Sequence, residues 1–315
     1  MIKKMNYYLN IIKMFFYNCY YYKKNGSIDE DFNYLLNQNE LIYKKNMIIR
    51  KLSREKILLD EIQYLKKQLP YAMTYNVDDF NKFRKENEID INYIRFDENN
   101  SLFYAVRNGK RLYFSSDLNT YEKVRIYYEY LCYEQTKNSP HKYVDEEFGL
   151  KKGSIVVDCG AAEGIFVFDN LDSISIAYLF ECDEHWIEAL EFTFAEWSDK
   201  VVIVKKYVGE ETSGRVISLD DYFCNSYIDF LKMDIEGAEE AALSGANELI
   251  TTGKIGQLAI AAYHNLSDAD MIRRKLECSY DIEQTKGYLL PDIERMMYPY
   301  FRIGILRARV KKLRD

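Results

Sequence analysis

A regular alternation of strand and helix patterns after Gly149 constrains the fold of this 315-residue chain more than any other feature. Five short β-prone runs follow one another in this region, at 154–158, 175–181, 201–208, 228–234 and 257–264. Helical patterns separate them, notably over 183–196 and 238–250, and a last β-prone run spans 300–310. Strands separated by helices of this length form βαβ units, so the pattern predicts a parallel, doubly wound α/β sheet.

A glycine-rich turn follows the first of these runs, in the segment DCGAAEG at 158–164. Glycines at a strand-to-helix turn let a ligand approach the backbone closely. Glu181 stands 21 residues after Gly160, at the end of the next β-prone run. A carboxylate in that position can accept hydrogen bonds from both ribose hydroxyls of an adenosine, so the pair predicts a nucleoside-binding crevice.

The charge of the glycine loop distinguishes two kinds of nucleoside cofactor. A dinucleotide places its pyrophosphate on bare N–H groups at a helix N-terminus, and here Asp158 and Glu163 put two carboxylates beside that position. Their repulsion would cost several kcal/mol in a desolvated site. S-adenosylmethionine carries a sulfonium and an ammonium against one carboxylate, so acidic walls favour this methyl donor.

The predicted cofactor site combines the glycine loop with the ends of the following strands. Its expected members are Asp158, Gly160, Ala161, Ala162, Glu163, Gly164, Glu181, Cys182, Trp186, Val208 and Asp234. Trp186 is expected either to touch the adenine or to pack against the rest of the fold.

A second acidic segment, KMDIEGAE at 232–239, follows the fourth β-prone run. Ligands of open α/β sheets sit beyond the carboxyl ends of the strands, near the switch in strand order, so Asp234 is expected in the same crevice as the glycine loop. Lys232 shares a strand face with Asp234 and is expected to pair with Asp234 and Glu236, or to donate to an acceptor oxygen. Glu239 either takes part in function or only favours the positive N-terminus of the next helix.

No metal site is predicted. Asp229, Asp234 and Glu236 are the acidic residues that could share a metal ion. However, Asp229 begins a strand and Asp234 ends it, so the two residues lie more than about 10 Å apart. The six cysteines form no CxxC pair and the three histidines lie far apart, so neither a disulfide framework nor a zinc cluster is expected. Scattered cysteines of this kind are typical of a cytoplasmic protein.

The motifs of the chain resemble those of the FkbM-family methyltransferases and occur in the same order. The similar segments are DCGAAEG at 158–164, FEC at 180–182, SLDDY at 218–222, KMDIEGAE at 232–239, SGA at 244–246 and AAYH at 261–264. The pattern KxDxEGxE after a hydrophobic strand is the most specific of them, and the resemblance covers roughly residues 146–290. One departure is TKGY at 285–288, where many relatives carry an Arg-His-Tyr ending, and it affects the acceptor rather than the methyl donor.

The resemblance implies a Rossmann-like class I methyltransferase domain, expected at 146–315, that methylates oxygen, commonly a sugar or polyketide hydroxyl. We expect the acceptor to be a sugar hydroxyl of a surface glycan or related metabolite. The alternatives are N- or C-methylation of a small molecule, or a membrane-apposed scaffold of glycan assembly around an inactive nucleotide fold.

Methyl transfer from sulfonium to oxygen is an in-line displacement, and holding the reactants in line can contribute about 7–11 kcal/mol. A general base would add about 10²–10⁴-fold. Both His264 and Asp234 are candidates, and His264 has the better unperturbed pKa for neutral pH. Lys232 completes the expected catalytic set. The acceptor is expected to contact Gln135, His141, Glu236 and Tyr263.

Two regions precede the methyltransferase domain. Residues 1–70 are expected to be helical. Over 41–69 they show a heptad pattern, which is typical of a short coiled coil or of a helix that packs against the rest of the same chain. Residues 71–145 are expected to form an α+β cap, with a hairpin at 101–114 and a helix at 119–137.

Charge is distributed unevenly along the chain. Residues 1–70 carry 13 basic and 7 acidic side chains although the whole chain has a net charge of −7, so the remainder is strongly acidic. An acidic body repels phosphates, which argues against a nucleic-acid partner. The aromatic segment 1–24, with its lysines, either packs on the protein or lies at a membrane surface. We therefore expect a cytoplasmic protein, with peripheral contact to the inner membrane face through 1–24 and self-association through 41–69 as further expectations.

Overall fold

A computed structural model of the chain describes residues 46–53, 62–63, 66, 71–72, 93–137, 139–224, 226–290 and 301–311. Residues 46–53 are helical, and the heptad positions Ile48, Leu52 and Ile62 are buried. Segment 1–24 and most of the heptad segment lie outside the described residues, so membrane contact and self-association stay predictions. Within the described parts of the chain, no helix has both the length and the apolar character needed to cross a membrane.

A small antiparallel sheet and one helix precede the central sheet and are called the cap here (residues 93–134). The elements up to this point are β1 (Tyr71–Ala72), β2 (Ile94–Asp97), β3 (Leu102–Arg107), β4 (Lys110–Tyr113) and helix α1 (Tyr121–Glu134). The predicted hairpin is confirmed, since β3 pairs with β4 and Asn108 and Gly109 at the turn have φ of 52° and 75°. β2, which was not predicted, adds a third strand by pairing with β3.

The remaining elements build the central sheet and its helical layers. The strands are β5 (Ser154–Cys159), β6 (Ile174–Phe180), β7 (Val201–Val204), β8 (Tyr207–Val208), β9 (Val216–Ile217), β10 (Ile228–Met233), β11 (Ile255–Ala261), β12 (Tyr280–Gln284), β13 (Leu289–Leu290) and β14 (Ile305–Val310). The helices are α2 (Ile165–Asp169), α3 (Glu184–Thr193), α4 (Leu219–Phe223), α5 (Glu239–Ser244), α6 (Asn247–Thr251) and α7 (Asp268–Leu276).

The central sheet has seven strands in the order β12-β14-β11-β10-β5-β6-β7, which confirms the predicted doubly wound α/β sheet. β5 pairs in parallel with both β6 and β10, so the direction in which strands are added reverses at this point. β14 is antiparallel to both of its neighbours. The carboxyl ends of β5 and β10 therefore meet at the switch point, where ligands of such sheets bind.

Three elements differ from the sequence predictions. The run at 201–208 forms two strands, because the chain leaves the central sheet after β7 and β8 pairs with β9 instead. The helix at 238–250 is two helices, since the side chain of Asp220 accepts hydrogen bonds from Glu248 N and Leu249 N and caps the second one. The last strand begins at Ile305 rather than at residue 300.

Candidate active site

The glycine loop lies at the switch point and packs onto the end of β10. Gly160 has a φ of 77°, and a Cβ atom there would come within 1.9 Å of the carbonyl oxygen of Asp234. Glycine is required because the position combines a left-handed φ with a close backbone approach. Lys232 Nζ strengthens this contact by donating to Gly160 O at 2.6 Å.

The N–H groups of the glycine loop are engaged within the protein. Gly160 N and Ala161 N both donate to Phe180 O, and Ala162 N donates to Glu181 Oε2 at 2.9 Å. A pyrophosphate would need such donors free. The hydrogen bonding thus agrees with the charge of the loop in disfavouring a dinucleotide.

Asp158 and Lys232 form a buried ion pair beneath the loop. Lys232 Nζ lies 2.9 Å from Asp158 Oδ1, and the two residues are register partners on β5 and β10. Burial raises the pKa of the Asp158 carboxyl, and the lysine opposes that rise. Lys232 therefore contacts Asp158 rather than Asp234 or Glu236, while its charge also acts on Asp234, whose pKa it lowers.

Glu181 follows β6 directly, and three backbone N–H groups fix its carboxylate. Oε1 accepts from Cys182 N at 2.7 Å and from Asp183 N at 3.0 Å, and Oε2 accepts from Ala162 N. An ionised carboxylate offers about four acceptor positions, so one remains, on Oε2. Oε2 therefore keeps an acceptor position for a ribose hydroxyl, and the binding of both hydroxyls stays a prediction.

An aromatic pair lies next to the glycine loop. The rings of Tyr127, from α1, and Trp186, from α3, have centroids 5.4 Å apart. Tyr127 also donates to Glu163 Oε2 at 2.8 Å. Burial raises the pKa of the Glu163 carboxyl to about 7. The cap therefore links two of the predicted cofactor residues, Glu163 and Trp186.

Three other residues that were predicted to bind the cofactor make contacts that stabilise the fold: Gly164, Val208 and Cys182. A Cβ atom on Gly164 would lie 2.7 Å from Phe194 Cε2, so this glycine lets the start of α2 pack against the end of α3. Val208 is buried in the core. The carbonyl of Cys182 accepts a hydrogen bond from Arg215 at 2.9 Å, which fixes the backbone next to Glu181.

Asp234 is the centre of a hydrogen-bonded cluster just beyond β10. Tyr143 donates to its Oδ2 at 2.5 Å, and Tyr263 donates to the same oxygen at 3.0 Å. Burial alone would raise the pKa of the carboxyl, but His141, Lys232 and Tyr143 lower it well below its usual range. Asp234 is therefore a fixed negative charge.

His141 flanks Asp234 on one side. Its Nε2 lies 2.6 Å from Tyr263 Oη and 3.5 Å from Asp234 Oδ2, and its Nδ1 lies 3.7 Å from Glu134 Oε2. Tyr263 thus bridges His141 and Asp234, and which group donates in the His141–Tyr263 hydrogen bond depends on the tautomer of the ring. Burial lowers the pKa of His141, but Glu134 and Asp234 outweigh it, so the pKa is raised.

His264 also contacts Asp234, through its own Nε2 at 3.3 Å from Oδ1. The same nitrogen lies 3.7 Å from Glu236 Oε2, and Nδ1 lies 3.1 Å from Glu239 Oε1. Burial lowers the pKa of His264, but these carboxylates raise it above its ordinary value. Asp234, Glu239 and His264 also offer atoms within 4.8 Å of one another, a spacing that a cation could share.

A pocket of about 190 Å³ opens beside this cluster. It is lined by Tyr130, Glu134, His141, Glu236, Tyr263, His264 and Leu289. Three of the four residues expected to contact the acceptor thus share one pocket with the predicted base. The fourth, Gln135, supports the loop behind it, since its side chain bonds His141 O and Tyr143 N, both at 3.4 Å.

Sequence reasoning did not assign roles to Glu134, Tyr143 and Tyr127. All three come from α1 or the segment after it. The segment SPHKY at 139–143 lies just before the glycine loop in the sequence, but no spacing rule relates residue 143 to residue 234. Only the packing of α1 against the switch point brings these side chains to the site.

The donor set of the crevice fits S-adenosylmethionine. Asp158, Glu163, Glu181 and Asp234 supply four carboxylates against one buried lysine, Lys232. A ligand with a sulfonium and an ammonium complements this excess of negative charge, and the engaged loop amides do not disfavour it. Together with the strand order, in which β14 alone is antiparallel, these features define a Rossmann-like class I methyltransferase.

Residues 181–289 match the family model of the methyltransferase FkbM domain. Residues 181–289 are therefore similar to the methyltransferase FkbM domain, and this similarity supports S-adenosylmethionine as the cofactor. The match begins at Glu181, so it does not include the glycine loop that the motif resemblance covered.

Solved structures with a similar fold include the methyltransferase FkbM from Methylobacillus flagellatus KT, at 24% identity and a TM-score of 0.41. That alignment covers 51% of this chain and 44% of the other, so this chain matches less than half of that protein. A putative RNA methyltransferase from Pyrococcus horikoshii is 17% identical, with a TM-score of 0.34 and coverage of 51% and 76%. Magnesium protoporphyrin IX methyltransferase from Synechocystis, with bound SAM, is 14% identical, with a TM-score of 0.34 and coverage of 51% and 71%. No curated protein sequence matches the chain at a significant level.

Proposed function

We propose that the protein methylates a sugar hydroxyl, in a surface glycan or a related metabolite, using S-adenosylmethionine. The observation that carries this proposal is the position of His264. Its ring contacts Asp234 and lines the pocket of about 190 Å³ next to the switch point. An imidazole supported by a carboxylate is suited to take the proton of an acceptor hydroxyl near neutral pH.

The other titratable groups of the cluster are less suited to act as the base. The pKa of Asp234 is held too low for it to accept a proton near neutral pH. His141 Nε2 is engaged with the Tyr263 hydroxyl at 2.6 Å and is not free to reach an acceptor hydroxyl. Lys232 is the cation of a buried ion pair with Asp158. His264 therefore remains as the general base.

S-adenosylmethionine, when bound, supplies an electrophilic methyl group, and its sulfur keeps the bonding electron pair. His264 Nε2 takes the proton of the acceptor hydroxyl, and Asp234 stabilises the imidazolium that results because it lies 3.3 Å away. The pocket walls hold the acceptor in line, which can contribute about 7–11 kcal/mol.

The pocket supports a polyhydroxyl acceptor better than an anionic one. Glu134 and Glu236 line it, so a phosphate or carboxylate on the acceptor would be repelled, whereas hydroxyl groups can donate to these side chains. Its volume of about 190 Å³ is below the range of about 300–1,000 Å³ typical of pockets for drug-sized ligands. The part of the acceptor that enters is therefore expected to be a single ring.

The test is methyl transfer by the full-length protein from ¹³C-methyl-labelled S-adenosylmethionine to a panel of neutral mono- and oligosaccharides. We expect a product signal in the O-methyl region of the ¹³C spectrum. An N-methyl or C-methyl signal would replace the proposal by the alternative chemistry. Failure to methylate any sugar, with cofactor binding intact in calorimetry, would contradict the sugar acceptor, and absence of cofactor binding would contradict the activity.

Variants separate binding from chemistry. His264→Gln is expected to keep cofactor binding and to lose about 10²–10⁴-fold in transfer rate, the usual contribution of a general base. His185→Gln is the matched control, because His185 is exposed and its Nδ1 lies 2.8 Å from Ser116 Oγ on the protein surface. Gly160→Val is expected to abolish cofactor binding itself.

A further inference from the structure

Glu134 is the last residue of α1 and lines the pocket of about 190 Å³ from the side of the cap. Its side chain is 19% exposed, and Tyr130 hydrogen-bonds its carboxyl group. In the described ranges, neither a lysine nor an arginine lies within ion-pair distance of it. The helix dipole disfavours a negative charge at the C-terminus of a helix. The stability of α1 therefore does not explain a glutamate at this position.

The ring of His141 lies next to Glu134 in the wall of this pocket. Its Nε2 is engaged with Tyr263 Oη at 2.6 Å, whereas its Nδ1 is buried and has no hydrogen-bond partner among the described residues. Nδ1 lies 3.7 Å from Glu134 Oε2, which is longer than a hydrogen bond. A buried polar atom without a partner is costly. A small polar group of a ligand could bond both Nδ1 and the carboxyl group.

A hydroxyl group is best suited to bind at this pair of side chains. It can accept a hydrogen bond from Nδ1–H and donate to Glu134, or donate to Nδ1 when that nitrogen carries no proton. A carbonyl oxygen has no proton to donate to the carboxylate, and an anionic group would be repelled by it. An ammonium group cannot accept from Nδ1–H, and Glu134 and Asp234 favour the protonated ring because they raise the pKa of His141.

The pocket also offers a place for a second group of the same ligand. His141 Nε2 lies 3.5 Å from Oδ2 of Asp234, and His264 Nε2 lies 3.3 Å from Oδ1 of the same carboxylate. Both rings line the pocket, whose volume of about 190 Å³ suits a single ring. One hydroxyl at His264 and another at the pair of His141 and Glu134 can therefore belong to one sugar.

We infer that Glu134 and His141 bind a second hydroxyl group of the acceptor, an inference that rests on the proposed function. Glu134 is then a specificity-determining residue. The acceptor is a sugar ring with at least two free hydroxyl groups, one that loses its proton to His264 and one that stays unmodified at Glu134. A sugar in which the second hydroxyl is missing or already substituted is a poor acceptor.

The test measures binding of the methyl α-D-pyranosides of glucose, galactose and mannose to the full-length protein. S-adenosylhomocysteine replaces the methyl donor, so that no transfer occurs. Titrations followed by NMR of the ligand give the dissociation constants, first for each glycoside and then for the monodeoxy analogues of the one that binds. We expect at least one analogue to bind about tenfold or more weakly, as the loss of a hydrogen bond to a charged group predicts.

Variants assign this discrimination to the carboxyl group. Glu134→Leu should bind the parent glycoside about tenfold or more weakly than the wild type does, but should bind the analogue that lacks the second hydroxyl equally well. Glu146→Leu is the matched control, because Glu146 is exposed and does not line the pocket, and it should leave both affinities unchanged. If Glu134 only supported the structure, Glu134→Leu would weaken the binding of every analogue by the same factor.

Equal binding of all monodeoxy analogues by the wild type would overturn the inference, even if Glu134→Leu failed to fold. A uniform loss of affinity in Glu134→Leu would overturn it as well, and so would the absence of binding of all three glycosides. Tighter binding of an amino analogue than of the parent glycoside would replace the hydroxyl site by an ammonium site. If the expected pattern is found but S-adenosylmethionine gives no methylated product, the hydroxyl site stands and the proposed methyl transfer fails.

Discussion

At the scale of single residues, Gly160 shows how one backbone position holds the two halves of the crevice together. Gly160→Ala would place Cβ 1.9 Å from the carbonyl oxygen of Asp234 in a left-handed conformation. We expect the free energy of unfolding to fall by about 3 kcal/mol or more, and cofactor binding to be lost. Urea denaturation and calorimetry measure the two effects.

Gly153→Ala provides the control for this prediction. Gly153 has a φ of 85°, but a Cβ atom there would meet nothing within 4 Å. The free energy of unfolding should therefore fall only by the cost of placing alanine in a left-handed conformation, about 1 kcal/mol. Equal losses in the two variants would show that close packing on Asp234 does not contribute.

Glu163 makes the stability of the protein depend on pH. Its pKa is raised from 4.5 to about 7 in the folded protein, so the folded state binds this proton more tightly than the unfolded chain. The stabilisation is present below about pH 4.5 and is lost as the pH rises through about 7. Between pH 5 and 8, we expect the unfolding free energy of the wild type to fall by up to about 3 kcal/mol relative to Glu163→Gln.

Denaturant unfolding at several pH values tests this expectation, with Glu196→Gln as the control because Glu196 is exposed. The same ionisation adds a negative charge beside the cofactor site above about pH 7. Binding of S-adenosylmethionine should therefore strengthen with pH in the wild type more than in Glu163→Gln. Parallel pH curves for the two proteins would contradict the raised pKa.

At the scale of secondary-structure elements, a bidentate ion pair connects the β3–β4 hairpin of the cap to helix α2 beside the central sheet. Arg107, at the end of β3, donates to Asp169, at the end of α2, at 2.5 and 2.7 Å. Both side chains are about a quarter exposed, so the pair contributes about 1 kcal/mol. Arg107→Met should speed amide exchange of residues 102–113 about fivefold and leave β5 and β10 unchanged.

Arg309→Met is the comparison for this pair, because Arg309 bonds Glu283 with both side chains about half exposed. It should leave exchange in the hairpin unchanged. Accelerated exchange throughout the central sheet in Arg107→Met would show that the hairpin and the sheet open as one unit.

Comparison of the strands and helices with the sequence predictions shows which features the sequence could predict. The strand and helix alternation fixed the βαβ order, and the glycine and acidic motifs located the switch point, because both depend on neighbours in the chain. The partner of Lys232 depends instead on the register of β5 against β10, which sets Lys232 opposite Asp158. The contact of Tyr143 with Asp234 depends on how the segment after α1 packs, and side-chain periodicity carries no information on that.

At the scale of the whole molecule, the contrast between a basic N-terminal region and an acidic remainder is the main unexplained feature. We propose that residues 1–24 bind anionic membranes through Lys3, Lys4, Lys23 and Lys24. Each lysine near such a surface contributes about 1 kcal/mol. Full-length protein should therefore float with phosphatidylserine vesicles, and much less with neutral ones.

Replacing the four lysines by glutamine in the full-length chain should abolish flotation with the anionic vesicles while leaving S-adenosylmethionine binding intact. Replacing four lysines of the acidic remainder, Lys151, Lys152, Lys205 and Lys206, changes the net charge equally and should leave flotation unchanged. Loss of flotation in both variants would assign the effect to net charge alone.

The position of β14 has a consequence for how the protein is made. This strand, at residues 305–310, is hydrogen-bonded between β11 and β12, which precede it in the chain. During synthesis, β11 and β12 leave the ribosome before the strand that joins them, so each exposes an unsatisfied backbone edge. The nascent chain is therefore most vulnerable to misassembly and chaperone capture in the interval just before residue 310 emerges.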